Sequence, residues 1–390
     1  MFFTIALILI ATIGFLNRWL LRKANDKIWQ AIFIDKTAKL LPYSIIIFAL
    51  IWGAGTLTGL HWLRLSGATL TAITLILNFV LLITLPFSFG TKLLDKFISS
   101  FRRVPETPVN PSRRLFLKGA AASVPLFAVS GVGNGIASSF SETRFPQVSL
   151  DFADLPNALD GFKILHLSDL HLGYYFGLDH LEKTLLDAEK YQVHMVMVTG
   201  DIADDLSLMT DAMKLVDQLK TPFSKYVAVG NHEYFRGIRE AIQMINAGPV
   251  PLLLNKHEVL DIYGTKIVVG GADYPVCMRA NIQDFLDKSV QTVFKNAPEN
   301  TFRILLSHRP RALDVAQKHA VNLVLSGHTH GGQVGLAGRS AWEIFNENGY
   351  LWGHYQKDSS QLYTSAGMGH WFPFRLNCPL EAPVITLKKV

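Results

Sequence analysis

The sequence predicts an α/β domain in the C-terminal part of the chain, preceded by transmembrane helices. From Gln147 onward, short apolar runs flanked by polar residues alternate with amphipathic segments, as strands and surface helices do in α/β proteins. The region before Gln147 instead contains long stretches without a charged residue. A chain of 390 residues with 49% hydrophobic content is long enough for two or three domains.

The predicted soluble part has recognisable helix and hairpin patterns. Amphipathic segments run from His180 to Lys190, from Leu206 to Leu219 and from Arg311 to Ala320. The stretch from Glu258 to Gly270 alternates apolar and polar residues around Tyr263-Gly264, which predicts a β-hairpin.

Residues 1–103 are predicted to form a membrane region with three spans, at about 1–20, 40–60 and 65–90. The second and third stretches are uncharged over enough residues to cross a bilayer, which takes about 20 residues per span. The first is shorter and would use Asn17 and a snorkelling Arg18. Buried helices of a soluble protein are the alternative, but such helices usually show a polar face.

The loop charges predict the orientation of these spans. Lys and Arg are concentrated after the first and third spans, and only Arg64 lies between the second and third. By the positive-inside rule, the segments that follow the first and third spans are cytoplasmic. The N-terminus therefore faces outward.

Residues 104–145 are predicted to connect the membrane region to the soluble domain. They begin with a Pro-rich linker, and Ser112 to Lys118, which includes Arg113 and Arg114, resembles a twin-arginine export signal. The uncharged stretch from Gly119 to Ser141 suits such a signal, although its internal position departs from the usual one. The twin-arginine export machinery is therefore a candidate partner. An ordinary fourth span is the alternative, and both interpretations place the following domain outside the cytoplasm.

The charge distribution argues against a nucleic-acid partner. Residues 1–145 hold 15 Lys and Arg against 5 Asp and Glu, whereas residues 146–390 hold 22 against 26. The basic excess thus lies beside the apolar segments, and the soluble part lacks a basic footprint. The two cysteines, Cys277 and Cys378, provide no disulfide framework, although one bridge between them stays open for an exported domain.

Polar residues with metal-binding side chains follow five strand-like runs. The runs end in Ser168-Asp169-Leu170-His171, Gly200-Asp201, Gly230-Asn231-His232-Glu233, Ser307-His308 and Ser326-Gly327-His328-Thr329-His330. Ligands of open α/β sheets bind beyond the carboxyl ends of strands, so these side chains are expected to meet in one cleft. A single Asp or His at a strand end is more often a turn residue, but packing alone does not explain the whole set.

The chemistry of this set predicts a metal site. Carboxylate, amide and imidazole groups bind hard and borderline divalent metals, and the imidazole-rich set favours Mn, Fe or Zn over Mg. The seven candidate ligands are Asp169, His171, Asp201, Asn231, His308, His328 and His330.

These motifs resemble, in order, the motif series of the calcineurin-like metallophosphoesterases. The resemblance covers about residues 160 to 390, includes every metal-ligand position and assigns the domain to residues 146–390. It implies a four-layer α-β-β-α sandwich, in which two mixed sheets are flanked by helices, and a dinuclear metal centre. One ion would be held by Asp169, His171, Asp201 and His330, and the other by Asp201, Asn231, His308 and His328, with Asp201 shared.

The resemblance also implies two catalytic residues. His232 would protonate the leaving oxygen as a general acid, and Asp204 would orient the His232 ring. A His232 side chain that only packs under the loop is the alternative.

The C-terminal stretch resembles that of a membrane-anchored bacterial branch of this family, through Gly367 to Gly369, Arg375, Pro379 and Glu381. This implies a multi-pass protein of the bacterial cytoplasmic membrane, with the catalytic domain outside the cytoplasm. Arg375 is a candidate contact for a substrate phosphate, with a structural salt bridge as the alternative. The C-terminal aromatic residues either pack internally or contact a lipid-like substrate.

The predicted function is a membrane-anchored, phosphodiesterase-like hydrolase that cleaves a phosphate ester or pyrophosphate bond with a metal-activated hydroxide. One hypothesis is a lipid-linked substrate and a role in lipid metabolism, because related enzymes include nucleotide-diacylsugar hydrolases. Another is a soluble phosphomonoester or nucleotide. A non-catalytic membrane scaffold on the same fold is a different class, but scaffold members tend to lose ligands.

Overall fold

The computed structural model describes residues 11–20, 32–100, 123, 127–275, 281–346 and 349–390. The twin-arginine-like heptad at 112–118, the Pro-rich linker and Cys277 lie outside the described residues, as do residues 1–10 of the first predicted span. The chain divides into two compact units. One comprises Met1–Ala137 with Phe372–Phe374, and the other comprises Ser138–Trp371 with Arg375–Val390. The predicted domain boundaries at 103 and 145 stay predictions.

The described part of the first unit is mainly helical. Residues 11–20 are helical, α1 covers Ile32–Thr58 and α2 covers His61–Ser100. The turn between α1 and α2 contains Gly59, whose φ of 71° is accessible to glycine at little cost. A methyl group at Gly55 or Gly67 would clash with the backbone of the opposite helix, so these two glycines allow the helices to approach closely.

The described helices support the membrane prediction only in part. One segment in the described part of the chain, His61–Thr84, is long and apolar enough to cross a membrane by length and composition, and Pro42–Thr58 is apolar but shorter. The α2 helix continues beyond the predicted end at residue 90 to Ser100. Residues 127–139, within the predicted fourth apolar segment, are also helical. Three or more spans remain a prediction.

The second unit is built on two mixed β-sheets. In chain order the strands are β1 Gln147–Phe152, β2 Lys163–Leu167, β3 Met195–Thr199, β4 Lys225–Ala228, β5 Lys256–Ile262, β6 Thr265–Gly271, β7 Phe302–Leu306, β8 Leu323–Ser326, β9 Gly335–Leu336, β10 Arg339–Ser340, β11 Gly353–Lys357, β12 Ser360–Thr364 and β13 Val384–Lys389. The sheet orders are β1-β13-β2-β3-β4 and β11-β12-β8-β7-β6-β5, and β9 pairs with β10. The mixed α/β prediction is therefore confirmed.

The hairpin prediction is also confirmed. Strands β5 and β6 are antiparallel, and Ile262 pairs with Thr265 across the turn. Tyr263 and Gly264 both have positive φ, as the two central residues of a tight type I′ hairpin turn require.

Helices cover the outer face of each sheet. They are α3 Leu178–Ala188, α4 Met209–Gln218, α5 Asn231–Asn246, α6 Ile282–Val293 and the short α7 Leu313–Ala316. The first two predicted amphipathic segments correspond to α3 and α4. The third is divided into a 3-10 turn, α7 and a second 3-10 turn, and Ala320 ends it in a left-handed conformation.

The central strands are apolar on both faces because each face is covered. In β3, Met195 and Met197 face the other sheet, whereas Val196 and Val198 pack under α3, α4 and α5. In the second sheet, Leu325 faces inward, and its neighbours on the outer face pack against α6 and α7. The resulting layers are helices, sheet, sheet and helices. β2, β3, β7 and β8 are interior strands, so their carboxyl ends lie away from the sheet edges.

Candidate metal centre

Loops after five strands carry the seven predicted ligand residues. Asp169 and His171 follow β2, Asp201 follows β3, Asn231 follows β4, His308 follows β7, and His328 and His330 follow β8. All seven are buried or nearly buried. The structure brings them together, as the distances below describe.

Five of these residues have left-handed backbone conformations. Their φ angles lie between 48° and 74°, and the five are Asp169, His171, Asp201, His328 and His330. Non-glycine residues rarely adopt this conformation, which costs roughly 1 to 2 kcal/mol per residue. The chain therefore turns sharply after β2, β3 and β8. Such strain persists only where the surrounding structure fixes it, which is common at functional sites.

One group of side chains surrounds a point between Asp169, His171 and His330. Each of these three offers a ligand atom, and the three atoms lie within 4.8 Å of one another. Nε2 of His171 lies 3.2 Å from Nε2 of His330, and Nε2 of His330 lies 3.4 Å from Oδ1 of Asp169. Oδ2 of Asp201 is 3.7 Å from Nε2 of His171. These four side chains have the composition and spacing of one metal site.

A second group shares Asp201. Nε2 of His308 lies 3.2 Å from Oδ2 of Asp201 and 3.2 Å from Oδ1 of Asn231. Nδ1 of His328 lies 2.8 Å from the same Asn231 oxygen. The Asp201 carboxylate thus lies between the two groups.

In two of the imidazoles, Nδ1 makes a hydrogen bond that leaves Nε2 available to bind a metal. Nδ1 of His308 donates to the carbonyl oxygen of Thr199 at 2.7 Å, and Nδ1 of His171 donates to Oδ2 of Asp204 at 3.2 Å. In the neutral tautomer, both rings then direct the lone pair of Nε2 into the site. This is the usual arrangement of metal-binding histidines.

The electrostatics of the site also favour the neutral or anionic form of some candidate metal ligands. Burial lowers the pKa of His328 to about 3, and the neighbouring His308 contributes, so that the His328 ring is neutral. Burial opposes ionisation of Asp201, but His308 and other nearby imidazoles hold the pKa of Asp201 well below its usual value. At His308, which lies beside Asp201, burial opposes protonation, but Asp201 and Asp169 raise the pKa to about 9, so a divalent cation would displace the proton and bind the neutral ring.

Asp204 joins His171 to His232. Its Oδ1 accepts from Nδ1 of His232 at 2.6 Å, and its Oδ2 accepts from Nδ1 of His171. The side chain of His232 is 11% exposed, and its Nε2 faces Oδ2 of Asp201 at 3.9 Å. Arg236 also donates to Oδ1 of Asp204, through Nε at 3.2 Å and Nη2 at 2.9 Å.

Glu233 is a buried residue for which no role was predicted from the motif. Its carboxylate accepts backbone N–H bonds from Asp201 at 3.0 Å, Ile202 at 2.8 Å and Gly230 at 2.6 Å. It thereby fixes the loop after β3 to the beginning of α5. The signal in the sequence was a glutamate at the third position of a helix, where it accepts from the backbone N–H groups that precede the helix.

A second unpredicted element is a chain of hydrogen bonds behind Asp169. Ser168 Oγ donates to Oδ2 of Asp169 at 2.6 Å, and Thr199 Oγ1 donates to Ser168 Oγ at 2.8 Å. The Thr199 hydroxyl lies 2.9 Å from Nε2 of His166, whose pKa is lowered by burial to about 3. A neutral His166 can donate through Nε2, so the chain orients the Asp169 carboxylate from the sheet.

Arg375 lies behind His330 and is fully buried. Its Nη2 donates to Gly369 O at 2.7 Å and lies 3.1 Å from Nδ1 of His330, and its Nη1 contacts Pro379 O at 3.3 Å. This position favours a structural role. The substrate contact predicted for Arg375 would require the guanidinium to leave these partners, and it stays a prediction.

A buried cluster of carboxylates, imidazoles and an amide at the ends of parallel strands could hold divalent metal ions. The sequence model of the family described as "Calcineurin-like phosphoesterase" matches residues 162–332. An "Uncharacterized metallophosphoesterase YkuE" of Bacillus subtilis is 29% identical over 289 residues, which cover 71% of this chain and 98% of that protein. A metallophosphoesterase of Helicobacter pylori is 26% identical over 90% of both chains.

A third relative is the "Transmembrane protein with metallophosphoesterase domain" of Danio rerio. It is 27% identical over 345 residues, which cover 84% of this chain and 74% of that protein. The chain is thus similar to calcineurin-like phosphoesterases over residues 162–332 and, over most of its length, to proteins named metallophosphoesterases.

Proposed function

We propose that the protein is a membrane-anchored, dinuclear metallophosphoesterase that hydrolyses a phosphate ester or pyrophosphate bond. The observation that carries the proposal is the convergence of seven ligand-type side chains, from five separate loops, around the shared carboxylate of Asp201. Asp169, His171, Asp201 and His330 would hold one ion, and Asp201, Asn231, His308 and His328 the other. When bound, the two ions would supply positive charge for the phosphoryl oxygens and lower the pKa of the attacking water.

His232 is the residue that would move a proton. The Asp204 carboxylate holds its Nδ1 at 2.6 Å, which leaves Nε2 directed toward the reacting region beside Asp201. A proton on Nε2 would pass to the departing oxygen, and a contribution of about 10²- to 10⁴-fold is typical of such a general acid. Asp204 thus positions both a ligand candidate, His171, and the proton donor.

The imidazole-rich site supports Mn, Fe or Zn over Mg as the bound metal. Elemental analysis of protein purified without added metal tests this. A strict requirement for Mg would contradict the assignment.

The proposed catalytic test separates metal binding from proton transfer. His232→Ala is expected to keep the metal content and lose most of the turnover on a substrate with a poor leaving group. Asp201→Asn is expected to lose metal and turnover together. Near-wild-type turnover of the His232→Ala protein would show that this residue is not the acid, and full metal occupancy in Asp201→Asn would remove the shared-ligand assignment.

A lipid-linked substrate is supported by apolar side chains close to the site. Trp342 donates through Nε1 to the carbonyl oxygen of Gly332 at 2.9 Å, two residues after His330. Ile344 and Phe345, in the same 3-10 turn, are 73% and 80% exposed. Exposed apolar groups in the same turn as Trp342 suit an acyl chain or a lipid surface. Turnover of detergent-dispersed phospholipids, compared with bis-p-nitrophenyl phosphate and p-nitrophenyl phosphate, distinguishes this substrate from soluble diesters and monoesters.

Membrane anchoring is supported by the apolar helix segment His61–Thr84 and by the word "transmembrane" in the name of the Danio rerio relative. The loop charges support a catalytic domain outside the cytoplasm. A reporter phosphatase that is active only after export, fused to the C-terminus, tests this topology. An inactive fusion would place the domain in the cytoplasm.

A further inference from the structure

The side of the site next to His232 carries a cation that the proposed mechanism does not use. Arg236 lies one helical turn after His232 on α5, and both side chains donate to the same oxygen of Asp204. Its side chain is 36% exposed, whereas the Asp204 side chain is inaccessible. Arg236 therefore borders both the buried catalytic residues and the solvent.

The guanidinium of Arg236 has hydrogen-bond donors that Asp204 does not use. Nε and Nη2 bind Asp204, and Nη1 has no hydrogen-bond partner within the described part of the chain. The Asp204 carboxylate does not belong to Arg236 alone, because it also accepts from the imidazoles of His171 and His232. An arginine with one edge anchored and the other edge open is well suited to bind a phosphoryl group.

One aromatic ring lies beside Arg236 and another beside His232. Cζ of Arg236 lies 5.9 Å from the centre of the Tyr174 ring, and the 66% exposed Phe235 lies 5.6 Å from the His232 ring, centre to centre. The backbone also changes direction directly after Arg236, because Gly237 has φ 125° and ψ 89°. Residues 231–236 therefore form a separate first part of α5, which presents His232 and Arg236 on the same side.

We propose that Arg236 forms an anion subsite that binds a second phosphoryl group carried by the leaving group. This inference rests on the proposed function, in which His232 donates its proton to the leaving oxygen. A leaving group that contacts His232 would extend toward Arg236. The preferred substrates would then be phosphoanhydrides, whose leaving group is itself an anionic phosphate, over diesters of neutral alcohols.

The test uses two substrates that differ by one phosphoryl group. They are bis-p-nitrophenyl phosphate and the symmetrical bis-p-nitrophenyl diphosphate, with products separated by chromatography. For Arg236→Gln in the full-length, metal-loaded protein, the ratio of kcat/KM for the diphosphate to that for the monophosphate diester is expected to fall about 10- to 100-fold. This is the size expected from one lost charge-assisted contact. Arg236→Lys should keep part of the preference because it keeps the charge.

The matched control is Arg239→Gln. Arg239 is exposed on the same helix, three residues further on, and should leave the ratio unchanged. If Arg236 only positions Asp204, Arg236→Gln will slow both substrates equally, and an unchanged ratio therefore overturns the inference. A wild-type protein that hydrolyses neither substrate overturns the proposed function, and the inference with it. The two failures are thus distinguishable.

Discussion

Replacing Glu233 by Gln tests how the protein keeps the loop after β3 in place. The Glu233 carboxylate is fully buried, and its two oxygens accept three backbone N–H bonds, from Asp201, Ile202 and Gly230. Glutamine has the same shape but only one accepting oxygen. Whichever way the amide is turned, its NH₂ group faces at least one backbone N–H, so at least one buried donor loses its partner.

The expected cost follows from this count. An unsatisfied buried N–H costs about 1 to 3 kcal/mol, and the remaining bonds lose the strengthening that the charge gives them, about 1 kcal/mol each. Burial and the nearby Asp201 raise the pKa of Glu233, which reduces the benefit of its charge. We therefore expect a loss of about 2 to 4 kcal/mol, which for a domain of this size lowers Tm by roughly 5 to 15 °C.

The assay is thermal unfolding followed by circular dichroism, with metal content measured on the same preparation. Metal content should also fall, because Glu233 holds the backbone N–H of Asp201. Glu240→Gln is the matched control, since Glu240 is an exposed residue of the same helix. If Glu233→Gln melted at the same temperature as the wild type and retained full metal, the three backbone hydrogen bonds to Glu233 would not stabilise the protein or its metal site.

Two further substitutions distinguish the stability of the core from metal binding at the site. Leu325→Ala removes a fully buried side chain between the sheets and should cost about 2 to 5 kcal/mol in unfolding experiments while metal binding persists in the folded fraction. Gly230→Ala adds a methyl group that would clash with Oδ1 of Asp201, although its φ of −115° suits any residue. Elemental analysis should show a large loss of metal in Gly230→Ala, and none in Gly133→Ala, where the methyl meets nothing within 4 Å.

The main features of the second unit could be predicted from the sequence. Its buried strands are continuous apolar runs because both faces are covered, as Met197 and Val198 show by packing on opposite sides of β3. The turn at Tyr263 and Gly264 followed from local conformational preference. The third amphipathic segment was less predictable, since periodicity does not reveal that a chain divides into short turns near Ala320.

The candidate site was predictable in its ligand-type residues and less so in their supports. Strand ends carry the Asp, Asn and His residues in the sequence itself. The role of Glu233 depends on three backbone donors from two loops, and the role of His166 depends on a relay through Thr199 and Ser168. Such contacts arise only when distant segments meet, so neither composition nor spacing identifies them.

The left-handed ligand positions make a final prediction about backbone strain. Asp201 has a φ of 52°, a conformation that glycine adopts freely and alanine adopts at a cost of about 1 to 2 kcal/mol. Asp201→Gly and Asp201→Ala both lack the carboxylate, so the loss of its contacts is common to the two variants. The glycine variant should therefore be the more stable by about 1 kcal/mol in chemical unfolding, despite its greater entropy in the unfolded chain. At Glu240, an exposed helical position, the order should reverse, because glycine is about 1 kcal/mol worse than alanine in a helix. Greater stability of the alanine variant at both positions would show that the turn after β3 stores no strain, and that the sharp backbone at the site is simply the relaxed path of the chain.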